Sequence, residues 1–267
     1  MPTETAPIQA HPITRYHAHT LAPTQDTLAQ EAPIALVYNG ISHVVIMATP
    51  QDIPQLALGF SISEGILQRS SQLYDSEIVH TPHGIEARLE IASECFAQLK
   101  QRRRTLNGRT GCGLCGIDSL TAAQPCIAPV ARSLKTQAAH INQALAQFSQ
   151  HQPLRQQTGS LHAAAWVEGA QIQASYEDIG RHNALDKLIG HLVQQAADTQ
   201  QGWLLLSSRA SYEMIAKAAS IGIHTIVAVS AATALAAQIA EQAHITLIGF
   251  AKPEKFTIYT HPQYIAA

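Results

Sequence analysis

The sequence predicts an α/β protein built from a smaller α+β part at residues 31–135 and a second part at residues 136–267. In the first part, apolar runs are broken by turn dipeptides, a pattern typical of β-hairpins. In the second part, a hairpin precedes short apolar strands that alternate with helical segments, which indicates a mixed sheet with helices on both faces. Because 46% of the 267 residues are hydrophobic, the chain can bury a substantial core.

The first part is defined by two turn signals and one helix start. Asn39-Gly40 supplies the two positive φ angles of a type I′ turn, and His83-Gly84 separates two segments of alternating polarity. Pro50 and Asp52 mark the start of a helix. The predicted elements are hairpin strands within 35–49, a helix from about 52 to 66, and hairpin strands at 77–81 and 85–92.

The second part has a more regular alternation of strands and helices. In sheets of this kind, functional groups gather where strands end and helices begin. Strands are predicted at 162–168, 171–176, 202–207, 225–230, 245–250 and 257–260, and helices at 181–194, 211–221 and 233–242.

The composition predicts a cytoplasmic protein with reduced thiols. Residues 1–30 contain scattered prolines and polar residues without the basic start and apolar run of a signal peptide, so they are expected to form a flexible N-terminal tail. No apolar stretch reaches the roughly 18–20 residues that a membrane helix needs. Four cysteines in so long a chain do not indicate a disulfide framework, and a net charge of −2 gives no global attraction to nucleic acid.

The segment with the most evident chemistry is Gly111-Cys112-Gly113-Leu114-Cys115-Gly116. Three glycines let the backbone turn sharply and present the two sulfur atoms. Arginines stand nearby, and positive charge lowers the pKa of a thiol below its usual value of about 8.5. The segment is therefore expected to expose a nucleophilic thiolate. The arginines are Arg102, Arg103, Arg104 and Arg109.

Three roles for Cys112 and Cys115 stay open from the residues alone. They could form half of a zinc site, although no second CxxC or HxxxH pattern completes the four ligands. They could form a thioredoxin-like dithiol, although that motif lies between a strand and a helix. They could also carry a persulfide, with one cysteine accepting sulfur and passing it on. No metal site is predicted.

Two helix starts carry hydrogen-bond donors. Arg181 and His182 begin one helix, and Arg209 and Ser211 precede the next. Free N–H groups and the helix dipole attract anions at such positions, so a phosphate pocket is one interpretation and ordinary capping is the other. The order of elements resembles zinc-dependent nucleotide deaminases, but the second helix start lacks their cysteines and no glutamate follows His182 at the required spacing. Zinc deamination is not expected.

The segment Phe250-Ala251-Lys252-Pro253-Glu254-Lys255 follows the predicted strand 245–250. Its two lysines could hold phosphates as point charges, or the segment could be a solvated hairpin.

Together these motifs resemble the FdhD family of sulfur carriers, which serve formate dehydrogenase. The resemblance covers nearly everything from about residue 30 onward, and its long, ordered agreement is more specific than any one motif. The segments that carry it are 35–43, 108–116, 158–159 with 162–165, 177–190, 207–214, 230–233 and 259–262.

The resemblance implies a cytidine-deaminase-like three-layer domain with a mixed sheet, joined to the smaller N-terminal α+β domain. It also implies a sulfurtransferase in which Cys112 carries the persulfide and Cys115 assists or offers an alternative site. Sulfur would come from a cysteine desulfurase and pass to the molybdenum cofactor, bis-molybdopterin guanine dinucleotide, before its insertion into formate dehydrogenase. The segment 250–255 would contact that cofactor.

Two departures and two alternative functions accompany this expectation. Glu254-Lys255 stands where a compared family member has Gly-Arg, which brings an acidic group to the site expected to bind pyrophosphate. The second departure is Ser160, the third residue of the Thr158-Gly159 motif, so this chain has no thiol at that place. The protein could instead be a chaperone that shelters the cofactor around a structural CxxC, or a dithiol oxidoreductase. A homodimer would help to shelter so large a cofactor.

Overall fold

The computed structural model describes residues 6–106, 127–132 and 134–267, with residues 102–106 described by their backbone alone. The helices are α1 (Ile53–Ser63), α2 (Ser93–Leu106), α3 (Ala138–Gln147), α4 (Pro153–Thr158), α5 (Arg181–Gln194), α6 (Tyr212–Ser220) and α7 (Ala234–Gln242). The strands are β1 (Ile8–His17), β2 (Thr20–Ala29), β3 (Ala32–Tyr38), β4 (Ile41–Ala48), β5 (Leu73–Thr81), β6 (Gly84–Ile91), β7 (Thr136–Gln137), β8 (His162–Glu168), β9 (Gln171–Asp178), β10 (Gly202–Leu206), β11 (Thr225–Ala228), β12 (Thr246–Lys252), β13 (Lys255–Ile258) and β14 (Ile265–Ala266).

The first part contains a four-stranded sheet in the order β4-β3-β6-β5. Asn39 and Gly40 have φ angles of 44° and 79° and form the turn between β3 and β4, which confirms the predicted hairpin. The central strand β3 alternates buried and half-buried residues along its length, as expected for a sheet with one covered face. Its parallel pairing with β6 requires a crossover, and α1 lies within that connection.

The second part contains a six-stranded mixed sheet in the order β13-β12-β11-β10-β8-β9. Strands β10, β11 and β12 are parallel, whereas β8, β9 and β13 pair antiparallel with their neighbours. Strand β10 is buried over its whole length, since Leu204 and Leu206 face one apolar cluster and Trp203 and Leu205 face the other. Helices therefore cover both faces: α5, α6 and α7 contribute to the first cluster, and α3 to the second.

The first sheet and the central sheet share one continuous core. The larger apolar cluster contains buried side chains from β3, β6, α1, α5, α6 and β10. Helices α1 and α5 approach so closely that a Cβ at Gly59 would lie 1.7 Å from the carbonyl oxygen of Asp186. A Cβ at Gly190 would lie 2.0 Å from the carbonyl oxygen of Gln55. Glycine at both positions is what allows the two parts to pack directly against each other.

Most of the predicted elements are found near their predicted positions, including α1, both hairpins of the first part and the alternation from β8 to β13. The prediction of a mixed α/β fold is therefore confirmed. The deaminase-like assignment and the division at residue 135 stay predictions. Within the described ranges, no helix is both long and apolar enough to cross a membrane.

The prediction of a flexible tail at residues 1–30 was wrong for β1 and β2. These strands pair antiparallel in continuous register from Ile8 with Ala29 to His17 with Thr20, and β2 contacts α4. The prolines that suggested a tail are compatible with these strands. Each strand of a two-stranded sheet has an outer edge that pairs with no neighbour, so no backbone N–H is needed there. Residues 1–5 lie outside the described part.

Three helices were not predicted at all. Helix α2 follows from its helix-favouring residues, and it buries Cys95 and Leu99, which are four residues apart on one face. Helices α3 and α4 occupy the interval between residues 136 and 161, where no element was predicted.

Candidate functional site

A cavity of about 380 Å³ lies at one edge of the central sheet, within the size range of roughly 300–1,000 Å³ typical of small-molecule sites. Because β10, β11 and β12 are parallel, their carboxyl ends meet at this edge. Ser207 follows β10, Val229 follows β11, and Lys252 ends β12, and all three line the cavity. The other lining residues are Leu145, Phe148, Ser149, Gln152, Arg155, Gln156, Ala251 and Pro253.

The segment 250–255 contributes three of its six residues to this cavity. Ala251 is buried in its wall, while Lys252 and Pro253 are exposed at its rim. Phe250, Glu254 and Lys255 are also exposed but do not belong to the lining. The segment forms the β12–β13 hairpin, in which Phe250 and Glu254 have positive φ angles of 50° and 64°. The N–H of Glu254 donates to Asn142 Oδ1 at 3.1 Å, which fixes the hairpin against α3.

The two helix starts predicted from the sequence are adjacent, and one carboxylate joins them. Glu213 Oε2 lies 3.0 Å from His182 Nε2, 3.1 Å from Ser211 Oγ and 3.8 Å from an Arg181 guanidinium nitrogen. Ser211 therefore bonds a side chain and makes no side-chain capping bond to α6. Arg209 is exposed and stands two residues before Ser211.

Glu213 was missed because, within a short polar run, it resembles an ordinary first-turn acidic residue. Burial acts to raise its pKa, but the hydrogen bonds from His182 and Ser211 and the charges of His182 and Arg181 outweigh burial and hold that pKa below its usual value. The carboxylate is thus ionised at neutral pH. It partly neutralises the positive charge at the two helix starts.

A buried ion pair fixes the start of α5. Asp178 Oδ2 lies 2.7 Å from Lys187 Nζ, and both side chains are fully buried. Asp178 also accepts hydrogen bonds from the N–H groups of Thr49 and Gly180 and from Asn183 Nδ2. Since Thr49 follows β4 and Gly180 precedes α5, this pair ties the first sheet to the helix start.

A second cavity of about 530 Å³ lies between α1, α5 and α6. Lys217 is one of its lining residues, and the ammonium group of Lys217 bonds Ser63, Glu64 and Asp186 at 2.8–3.0 Å. Burial acts to lower the pKa of Lys217, but the charges of Asp186 and Glu64 outweigh it and raise that pKa. The donors of Lys217 are occupied by the protein itself, so this cluster serves the packing of α1 on α5 and α6.

The predicted sulfur carriers Cys112 and Cys115 lie outside the described residues, as do Arg109 and the side chains of Arg102, Arg103 and Arg104. Cys95 is described and buried in α2. In the described ranges, no three His, Cys, Asp or Glu side chains are grouped to hold a metal ion.

Comparison with known proteins identifies the family to which the chain belongs. The model of the FdhD/NarQ family matches residues 29–266. The chain belongs to the FdhD/NarQ family. It is 50% identical over 252 residues to the sulfur carrier protein FdhD of Cupriavidus necator, a match that covers 94% of this chain and 88% of that relative.

The FdhD/NarQ match includes the cavity, both helix starts and the cysteine loop. A solved structure of a formate dehydrogenase accessory protein from Desulfotalea psychrophila supports the fold, with a TM-score of 0.78 at 20% identity. That likeness covers 97% of this chain and all of the other. Strand β1 and most of β2 precede the family match.

Proposed function

We propose that this protein is a sulfur carrier that accepts persulfide sulfur from a cysteine desulfurase on Cys112 and delivers it to bis-molybdopterin guanine dinucleotide. The sulfurated cargo then enters formate dehydrogenase. The observation that carries this proposal is the 50% identity over 252 residues to a protein named as a sulfur carrier. The Cys112-Cys115 loop of this chain supplies thiols suited to the task.

The sulfur chemistry needs one thiolate and no resident cofactor. The Cys112 thiolate attacks the terminal sulfur of the desulfurase persulfide, which leaves a persulfide on Cys112 and returns the desulfurase cysteine as a thiolate. Delivery to molybdenum then returns Cys112 as a thiolate. Because the transferred atom is at the oxidation level of elemental sulfur, the acceptor supplies the two electrons that make it sulfide. In this role the protein is a sulfurtransferase.

We place one nucleotide of the cargo in the cavity at the sheet edge. Its apolar wall, which includes Phe148 and Ala251, can take a flat base, while Lys252 and Arg155 bring positive charge for phosphates. Its volume suits a single nucleotide and not the whole cargo, which carries two. A second copy of the chain, as a homodimer, would provide room for the other nucleotide. We place the activity in the cytoplasm, where thiols stay reduced.

The proposal is tested by intact-mass analysis after incubation with a cysteine desulfurase and cysteine. A carrier gains the mass of one sulfur atom, and a reductant removes it. A chaperone with a structural CxxC gains nothing. A dithiol oxidoreductase, given an added disulfide substrate, reduces that substrate and loses two hydrogen atoms as Cys112 and Cys115 form a disulfide. Either of the last two results would replace the proposal.

We expect Lys252→Gln to weaken binding of GDP, used as a probe for one nucleotide of the cargo. Because Lys252 is exposed at the cavity rim, its loss should cost about 1 kcal/mol, or roughly fivefold in affinity. Isothermal titration calorimetry measures the change. Lys100→Gln, which removes an exposed lysine from α2, is the matched control. Equal affinity of Lys252→Gln and the wild type would remove Lys252 from the site.

A further inference from the structure

Strand β4 is an unprotected edge of the first sheet. It pairs with β3 on one side and has no strand neighbour on the other within the described residues. Edge strands of native proteins usually carry charged residues or proline, which discourage pairing with other chains. Strand β5, at the opposite edge, carries Asp75 and Glu77, whereas β4 contains no Asp, Glu, Lys, Arg or Pro. The outer side of β4 is therefore suited to pairing with another strand.

The side chains of β4 add apolar surface to this edge. Val45 and Met47 are 59% and 49% exposed, on the solvent-facing side of the sheet. The alternate residues Val44 and Ile46 point the other way and pack against the larger apolar cluster. A strand that pairs with β4 would meet apolar side chains on both of its own faces.

The 530 Å³ cavity lies beside the same strand. Ile46 belongs to its lining, and Asn183, another lining residue, donates to the carbonyl oxygen of Met47 at 2.9 Å. Among the described residues, none lines both this cavity and the 380 Å³ cavity at the edge of the central sheet. An edge strand beside a side-chain pocket is the arrangement that binds extended peptides, since strand pairing gives affinity and the pocket gives specificity.

The 530 Å³ cavity combines aromatic walls with accessible negative charge. Phe60 and Tyr212 supply aromatic surface. Glu64 and Glu213 also line the cavity, with 48% and 33% of their side chains exposed, whereas the side chain of Lys217 is only 9% exposed. A group that enters from solvent therefore meets carboxylates before it meets the ammonium group.

The carboxylate of Glu213 is ionised at neutral pH and has one oxygen to offer. Its contacts with Arg181, His182 and Ser211 all use Oε2, so in the described part of the chain Oε1 is left to a ligand. A guanidinium group is flat, stacks on aromatic rings and donates strongly to carboxylates. The cavity is therefore suited to the side chain of an arginine.

We infer that β4 and the 530 Å³ cavity together bind an extended segment of a partner protein, which pairs with β4 and places an arginine side chain in the cavity. The β4 strand of a second copy of this chain would not supply that arginine, because Ile41–Ala48 contains no Arg or Lys. The partner is therefore a different protein. This docking surface is a further role of the chain and does not depend on sulfur transfer by Cys112.

The test uses the synthetic peptide acetyl-TVRVT-amide as the probe, in calorimetric titration of the full chain at low ionic strength. In an extended strand the arginine of this peptide points to one face and its two valines to the other, which matches the cavity and the exposed Val45 and Met47. The wild type should bind acetyl-TVEVT-amide about tenfold more weakly, as expected when a charged hydrogen bond is lost. Equal affinity for the two peptides, or binding of neither, would overturn the site.

Two variants locate the site, each with a matched control. V45K places a lysine on β4, and Y74K places one on β5, where Tyr74 is also exposed. E213Q removes a carboxylate from the cavity, and E77Q removes an exposed carboxylate from β5. V45K and E213Q should bind acetyl-TVRVT-amide about tenfold more weakly than the wild type, and the two controls should bind as the wild type does. Wild-type affinity in V45K or in E213Q would overturn the joint use of edge and cavity.

Sedimentation velocity without peptide shows whether a second copy of the chain covers β4 instead. A dimeric wild type with a monomeric V45K would assign this edge to a second copy and overturn the inference. Equal masses of the wild type and V45K would support it. The peptide titrations contain neither desulfurase nor cysteine, so peptide docking and sulfur loading on Cys112 can fail separately.

Discussion

Replacing Cys112 with alanine should abolish sulfur transfer while leaving the protein folded. No other side chain in the proposed scheme attacks the desulfurase persulfide, and a methyl group cannot hold sulfur. Intact mass after incubation with desulfurase and cysteine should show no added sulfur atom. Cells that depend on this variant should have formate dehydrogenase without activity, since the cargo reaches the enzyme without its sulfur.

Two further variants separate the thiols. Cys126→Ala removes a cysteine outside the CxxC motif and should keep wild-type sulfur loading and formate dehydrogenase activity. Cys115→Ala should still acquire sulfur on Cys112, with slower or less complete delivery if Cys115 assists. Full formate dehydrogenase activity in Cys112→Ala would refute the assigned carrier. Loss of activity without loss of sulfur loading would show that Cys112 acts after the loading step.

Turn chemistry and apolar periodicity were enough to predict most of the strands and the helices of the second part. The β3–β4 turn is an example, because the φ angles that Asn39 and Gly40 adopt are the ones that this residue pair favours. Helix α5 begins at Arg181 as predicted, since Gly180 precedes it and the apolar spacing continues to Leu192. Such features depend on neighbours in the sequence.

The remaining features depend on residues that are distant in the sequence. Glu213 is 31 residues from His182, and their hydrogen bond exists only because α5 and α6 start at the same edge of the sheet. Arg155 was not singled out, because it is not unusual until α4 brings it to the lining of the 380 Å³ cavity. The hairpin of β1 and β2 was missed because its mostly exposed residues have little of the buried periodicity that marks a strand.

The second large effect is expected from Lys187→Met, which should destabilise the protein by about 3–5 kcal/mol. Lys187 Nζ lies 2.7 Å from Asp178 Oδ2 in a fully buried pair, and it also donates to the carbonyl oxygens of Thr49 and Glu177 at 3.2 Å. Methionine fills a similar volume but leaves the Asp178 carboxylate without a counter-charge. Urea unfolding followed by circular dichroism should show a lower midpoint.

The double variant D178N/K187M tests whether an unpaired charge causes that loss. Because it removes both charges, it should regain much of the stability lost in K187M. The exposed pair of Arg15 and Asp26 gives the control, since R15M should change the free energy of unfolding by less than about 1 kcal/mol. A K187M midpoint equal to the wild type would show that the pair does not hold the fold together. Because Asp178 also bonds Gly180 and Asn183, K187M should additionally loosen the start of α5.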